Sequence, residues 1–162
     1  MKIISDDIKL VTIDGSTMKT GMAYFINGLY KTHTLLDFSK NKNMEDRFKS
    51  MSRAMWEFLN EHRPNIIYIE ETYMSNNAQT LKILTRLQGV IYAWCMNNEC
   101  EFNTIKPTSW RKLLGFNQGK NIKRNELKKQ SVKYIFDNYN IEVTDDEADA
   151  LCIADAIIKM FS

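Results

Sequence analysis

Two short, largely apolar runs that each end in a carboxylate constrain the fold of this chain more than any other feature. The first covers residues 8–13 and is followed by Asp14; the second covers residues 66–69 and is followed by Glu70. Short runs that are apolar on both faces are typical of central strands covered by helices. Parallel neighbouring strands end at the same edge of a sheet. The pattern therefore predicts that Asp14 and Glu70 lie side by side.

A second acidic pair opens the last apolar segment of the chain. Asp146 and Asp149 precede or begin the run at residues 148–154, which is typical of a buried helix. Residues three apart on a helix lie about 60° from each other, so both side chains share one face. Asp155 and Lys159 lie away from that face, and we expect them to form an exposed ion pair.

The remaining pattern predicts three antiparallel strands followed by alternating helices and strands. Residues 20–26 and 29–38 are joined by Asn27-Gly28, a strong hairpin signal because both residues tolerate positive φ. Helices are expected around residues 48–59, 78–97 and 124–139, with a fifth strand at 101–105. A short helix is expected to be capped by Thr108 or Ser109 and to end at Gly115, and the last helix is expected to have Asp145 as its N-cap and to run to Phe161. Right-handed crossovers place the first and fourth strands together. We expect one α/β domain over residues 1–162, with a five-stranded mixed sheet (three antiparallel strands, then two parallel) flanked by helices.

Carboxylates gathered at one sheet edge repel each other unless cations lie between them. Oxygen ligands favour hard cations, which predicts Mg²⁺, with Mn²⁺ able to substitute. Two such ions about 3.5–4 Å apart can stabilise an in-line displacement at phosphorus, and Asp14 is the natural shared ligand. Two alternatives stay open here. Asp14 could simply form an Asp-Gly turn, and strand periodicity does not choose between Glu70 and Glu71.

The charge distribution is strongly uneven. Between Lys106 and Lys133 there are nine basic residues and one acidic residue, Glu126, a net charge of +8 in a chain whose total is +2. The rest of the chain therefore carries −6. A basic segment of this kind could bind an anionic polymer that is cut at the acidic cluster. The alternative is an ordinary solvated helix face.

Several classes of protein are disfavoured. No apolar run reaches the roughly 20 residues that a membrane span needs, and the first residues lack the apolar core of a signal peptide. The three cysteines, Cys95, Cys100 and Cys152, have no metal-ligand spacing, and we expect them to be reduced in the cytoplasm. The glycines at 115 and 119 do not form a Walker loop.

The ordered set of acidic motifs resembles the RuvC-type Holliday-junction resolvases of the RNase H-like superfamily. The matching stretches are Thr12-Ile13-Asp14-Gly15-Ser16 with Thr20-Gly21, then Tyr68-Ile69-Glu70-Glu71-Thr72-Tyr73-Met74, and finally Asp146-Glu147-Ala148-Asp149-Ala150-Leu151. The smaller phage-encoded members are the most similar, which implies action in the cytoplasm of a host cell. Gly15-Ser16 departs from the Pro-Gly that cellular members usually carry.

This resemblance implies a function and a set of residues. It implies an RNase H-like fold and a homodimeric, metal-dependent endonuclease that nicks Holliday junctions or related branched DNA. The metal ligands and catalytic residues would be Asp14, Glu70, Asp146 and Asp149. DNA-binding positions would be Tyr73, Lys106, Arg111, Lys112, Lys120, Lys123 and Arg124. The dimer interface would include Leu84, Leu87, Gly89 and Ile91 on the long helix.

Three other functions are compatible with parts of the pattern. An RNase H or transposase-type nuclease would share the fold, although the dimer helix favours the resolvase. A non-catalytic protein that binds branched DNA would not need all four carboxylates. An actin-like ATPase also begins with an Asp-Gly strand turn, but it needs a second glycine-rich phosphate loop that this sequence lacks.

Overall fold

A five-stranded sheet with the order β3-β2-β1-β4-β5 organises the chain in a computed structural model, which describes residues 6–72 and 77–162. The strands are β1 (Lys9–Asp14), β2 (Lys19–Ile26), β3 (Leu29–Asp37), β4 (Ile66–Glu70) and β5 (Glu101–Ile105). The helices are α1 (Met44–His62), α2 (Ala78–Asn97), α3 (Pro107–Leu113), α4 (Arg124–Tyr139) and α5 (Asp145–Met160). The predicted order of elements is confirmed.

The pairing of β1 with its neighbours fixes the edge at which the acids lie. β1 is antiparallel to β2 and parallel to β4, and Ile13 pairs with Ile69. Asp14 and Glu70 are therefore the next residues along two adjacent parallel strands. On the other side of β1, Asp14 pairs with Gly21.

The sheet separates two apolar cores because its side chains alternate between its faces. Val11 and Ile13 pack against α1 and α2, whereas Leu10 faces α5 together with Phe25 and Tyr68. Since Leu10 and Asp14 have the same parity along β1, the carboxylate of Asp14 lies on the α5 side. α5 is buried along most of its length, which explains its nearly continuous apolar sequence.

Two features of α5 correct the sequence predictions. Its N-cap is Thr144, not Asp145, and the main-chain N–H of Thr144 donates to Glu147 Oε1 over 3.3 Å in a capping box. The exposed Asp155–Lys159 ion pair is also wrong. α4 covers that face of α5, so Asp155 accepts hydrogen bonds from the hydroxyls of Tyr134 and Tyr139.

The long helix α2 begins and ends where the sequence predicts, but two of its expected interface residues do not lie on the surface. Leu87 and Ile91 are 1% and 0% exposed and belong to the core between α2 and the sheet. They cannot contact a second chain directly, so their assignment to a dimer interface is wrong. Gly89 is exposed, and a Cβ there would meet nothing within 4 Å. Leu84 is half-buried.

Across residues 6–72 and 77–162, none of the helices combines the length and the apolar character that crossing a membrane requires.

Candidate active site

All four predicted carboxylates line one cleft of about 470 Å³ at the carboxyl edge of the parallel strands. Asp14 and Glu70 end β1 and β4, and Asp146 and Asp149 lie in the first turns of α5. Glu71 also lines the cleft. The alternation along β4, however, puts Glu70 on the same face as Tyr68 and Asp14. The alternation thus puts Glu70, and not Glu71, on the face of the sheet that α5 covers.

A close contact between α5 and the sheet brings the second acidic pair to this edge. The hydroxyl of Thr12, which is fully buried, donates to the carbonyl oxygen of Ala150 over 2.7 Å. At Gly21, a Cβ would lie 2.2 Å from the carbonyl oxygen of Asp146. Real Cβ atoms are not found that close to a backbone atom. Gly21 is therefore required for the helix to lie where it does.

The carboxylates raise one another's pKa values. Burial raises the pKa of Asp14 well above its usual range, and the charges of Glu70, Asp149 and Asp146 raise it further. Burial raises the pKa of Glu70 to about 7, although a hydrogen bond from Trp110 opposes that shift. Burial also raises the pKa of Asp149 to about 6, while the nearby Ser131 hydroxyl and Arg111 guanidinium oppose the shift. Burial and mutual repulsion therefore both oppose the charged state of these carboxylates.

The donor set fits a hard divalent cation. Among the described residues, no three His, Cys, Asp or Glu side chains already stand in the arrangement of a formed metal site. However, Oδ1 of Asp149 is buried and has no hydrogen-bond partner. An orphaned buried oxygen among mutually repelling carboxylates is the situation that a cation relieves. Oxygen ligands favour Mg²⁺ or Mn²⁺ over softer metals.

The raised pKa values predict that the metal-free protein loses stability as pH rises. Glu70 and Asp149 bind protons more tightly in the folded than in the unfolded state. The stability that they contribute is complete below their unfolded pKa values and is lost as pH passes about 6 to 7. Between about pH 5 and pH 8 in chelator we expect a loss on the order of 2 kcal/mol, or roughly 4–8 °C in Tm. Thermal melting checks this, and saturating Mg²⁺ should flatten the dependence.

Asp149→Asn is the informative variant for that experiment. It removes one charge at nearly constant volume, at the residue with the orphaned oxygen. In chelator near pH 8 the variant should be more stable than the parent by about 1 kcal/mol, as is common when a strained functional site is relieved. A variant that melts below the parent would instead make Asp149 a structural hydrogen-bond partner.

Four cations line the walls of the same cleft: Lys19, Arg111, Arg124 and Lys128. Only Arg111 and Arg124 were among the predicted DNA-binding residues. Lys106, Lys112, Lys120 and Lys123 are exposed and are not among the residues that line the cleft. Tyr73 lies outside the described residues. The sequence did not single out Lys19, since an isolated lysine at a strand start carries no signal.

Trp110 is the other residue that sequence reasoning missed. It is fully buried, and its indole Nε1 donates to Oε2 of Glu70 over 2.9 Å. A tryptophan inside the most basic segment of the chain was the available signal. Linking it to Glu70 required the strand register, because Glu70 pairs with Ile105, just before α3 begins.

Comparisons with known proteins show which family this chain resembles. A family profile described as "Crossover junction endodeoxyribonuclease RuvC" matches residues 10–157. A relative of that name from Brachyspira hyodysenteriae is 27% identical over 146 residues, covering 88% of each chain.

Two solved structures share the fold. One is T. thermophilus RuvC in complex with Holliday junction substrate, with a TM-score of 0.70, 14% identity and 91% of each chain covered. The other is Fowlpox virus resolvase in complex with Holliday junction DNA, with a TM-score of 0.61, 16% identity, and 94% of this chain and 98% of that one covered. Because the profile spans nearly all of the sheet and α5, this chain belongs to the RuvC family of crossover junction endodeoxyribonucleases.

Proposed function

We propose that the protein is a divalent-metal-dependent, structure-selective DNA endonuclease that nicks Holliday junctions or related branched DNA. The observation that carries this proposal is the cleft itself. Four carboxylates form its base, and cationic side chains from β2, α3 and α4 form its walls. Membership of the RuvC family supports junction DNA as the substrate class. We propose the cytoplasm as the compartment, since the substrate is DNA and all three cysteines are free.

Each group of residues has a distinct task in this reaction. Arg111, Arg124 and Lys128 would bind and orient the phosphates on either side of the scissile bond. Asp14, Glu70, Asp146 and Asp149 would hold the cations, for which we propose Mg²⁺, with Mn²⁺ as a substitute. When bound, such cations supply Lewis-acid stabilisation for the attacking and leaving oxygens of an in-line displacement.

Cleavage of a synthetic four-way junction tests the proposal. We expect nicking with Mg²⁺ or Mn²⁺ and no ATP, and none in chelator. Linear duplex should be cut far less than the junction. Preferential cutting of an RNA–DNA hybrid would favour an RNase H-type activity, and tight junction binding without cleavage would favour a non-catalytic role. Undiminished cleavage in chelator would exclude the metal mechanism.

The cationic walls should govern DNA binding rather than the chemical step. Arg111→Ala combined with Arg124→Ala should weaken junction binding and reduce the salt slope by about 2, because two fewer phosphate contacts release counterions. Fluorescence anisotropy across a salt series measures both quantities. Lys49→Ala with Arg53→Ala is the matched control, because these cations lie exposed on α1, in the opposite helical layer. Equal effects of the two pairs would mean that binding follows net charge alone.

We also propose a homodimer that uses the exposed face of α2, with Gly89 at its centre. Tyr92 and Met96 on α2 are 51% and 70% exposed, and Trp56 of α1 contacts the same helix through Nε1, which donates to the carbonyl of Val90. Gly89→Arg should give monomers in sedimentation experiments, because bulk and charge would enter a close helix contact. Met160→Arg on α5 is the control. A Gly89→Arg protein that sediments like the parent would contradict this interface.

A further inference from the structure

Trp110 on α3 is hydrogen-bonded to Glu70, the candidate metal ligand at the end of β4. Its indole is fully buried, and Nε1 donates to Oε2 of Glu70 over 2.9 Å. Glu70 also has its main-chain oxygen engaged, since Nε2 of Gln88 on α2 donates to it over 3.2 Å. The end of β4 is therefore held from α3 on one face of the sheet and from α2 on the other.

The indole itself has little freedom to move. Phe116 packs against it edge-on at 5.6 Å between ring centroids, and Tyr134 packs behind Phe116 at 5.7 Å. Trp110 also contacts Arg111, whose guanidinium carbon lies 5.0 Å from the centre of the Trp110 ring. Arg111 lines the cleft, and its buried Nε has no hydrogen-bond partner. One rigid side chain thus touches both an acid and a cation of the site.

We propose that Trp110 is a positioning residue that orients both Glu70 and Arg111. Its N–H engages Oε2 of Glu70 and so leaves Oε1 as the oxygen free for a cation. Its ring face supports the guanidinium of Arg111 at the wall of the cleft, where a phosphate would bind. This inference rests on the proposed function. Trp110 would act as the residues behind metal ligands generally do, by fixing the orientation of the ligand through a hydrogen bond.

The chain offers a matched control in Trp94. That indole is also buried, at 1% exposure, and its Nε1 donates to the side-chain oxygen of Asn60 over 2.8 Å. Trp94 lies in the core between α2 and the sheet, on the opposite face from Trp110. Replacing either residue by phenylalanine removes one buried N–H donor and a similar volume. Only one of the two changes touches the site.

The first experiment compares Mg²⁺ titrations of the parent, Trp110→Phe and Trp94→Phe, followed by the rise in Tm. We expect the half-saturating Mg²⁺ concentration to increase roughly 10-fold or more in Trp110→Phe, the range typical of lost outer contacts to metal ligands. Trp94→Phe should keep the parent value even if it melts lower. Equal Mg²⁺ dependence in the two variants would overturn the inference. No Mg²⁺ effect on the parent would instead contradict the proposed metal site.

A second measurement does not depend on whether Trp110→Phe folds. The protein has three tryptophans, so its nitrogen–proton spectrum contains three indole signals that can be followed separately. In Glu70→Ala the Trp110 N–H loses its acceptor, and we expect its signal to shift while that of Trp94 stays in place. In the parent, Mg²⁺ should shift the Trp110 signal selectively. An indole signal of Trp110 that is insensitive to both changes would overturn the proposal.

Discussion

Asp14→Asn is expected to abolish cleavage of a four-way junction while leaving junction binding intact. Asp14 lies beside Glu70 across the β1–β4 pair, and the charges of three other carboxylates act on it. In the proposed mechanism Asp14 is the ligand that the two cations share, so loss of its charge would weaken the binding of both. We expect the nicking rate to fall at least about 10³-fold, which corresponds to roughly 4 kcal/mol of transition-state stabilisation. Single-turnover cleavage with saturating Mg²⁺ measures the rate.

Asp155→Asn is the matched control for that substitution. Asp155 is a partly buried acid of α5, but it accepts hydrogen bonds from Tyr134 and Tyr139 and does not line the cleft. Its replacement should lower stability by about 1–2 kcal/mol and leave the cleavage rate unchanged. If Asp14→Asn cleaves at the parent rate, the acidic cluster is not the catalytic centre.

Gly21→Ala is expected to damage both stability and cleavage, although it adds a single methyl group far along the chain from Asp146 and Asp149. That methyl carbon would lie 2.2 Å from the carbonyl oxygen and 2.7 Å from the carbonyl carbon of Asp146. α5 must move away from β2, and Asp146 and Asp149 move with it. We expect a loss of at least about 2 kcal/mol in unfolding free energy, typical of overpacking, and a roughly 100-fold loss of cleavage through misplaced ligands. Chemical denaturation and single-turnover kinetics measure the two effects.

Gly89→Ala provides the comparison, because the same methyl group would meet nothing within 4 Å. In the middle of the exposed face of α2, alanine should stabilise the helix by up to about 1 kcal/mol. Because Gly89 also lies at the centre of the proposed dimer contact, only the stabilities of the two variants are compared. A Gly21→Ala protein that is as stable and active as the parent would mean that α5 does not lie as close to β2 as described.

The strands and the acidic cluster could be predicted because their signals are local. The apolar runs before Asp14 and Glu70 and the Asn27-Gly28 turn each specify one element, and right-handed crossovers then bring β1 and β4 together. The choice of Glu70 over Glu71 could not be made from periodicity. It depends on which face of β4 meets α5, a property of the assembled sheet.

Other predictions failed because a local pattern has two tertiary explanations. Leu87 and Ile91 follow the spacing of an apolar helix face, and that face could pack on a sheet or on a second chain. In the structure that face packs on the sheet, so exposed neighbours on α2 such as Gly89 are the residues that could contact a second chain. Trp110 shows the opposite failure: its proposed role rests on a hydrogen bond to a residue 40 positions away and on a ring contact with Arg111, and no spacing rule predicts the first.

The position of α5 also has a consequence for the newly synthesised protein. Asp14 and Glu70 leave the ribosome early, but Asp146 and Asp149 belong to the last helix in the described part of the chain. Until α5 docks against β1 and β2, only two of the four candidate ligands, Asp14 and Glu70, are in place. One face of the sheet is also uncovered until then. Nuclease activity and completion of the core therefore arise in the same late step, and a chain interrupted before α5 should be both unstable and harmless to DNA.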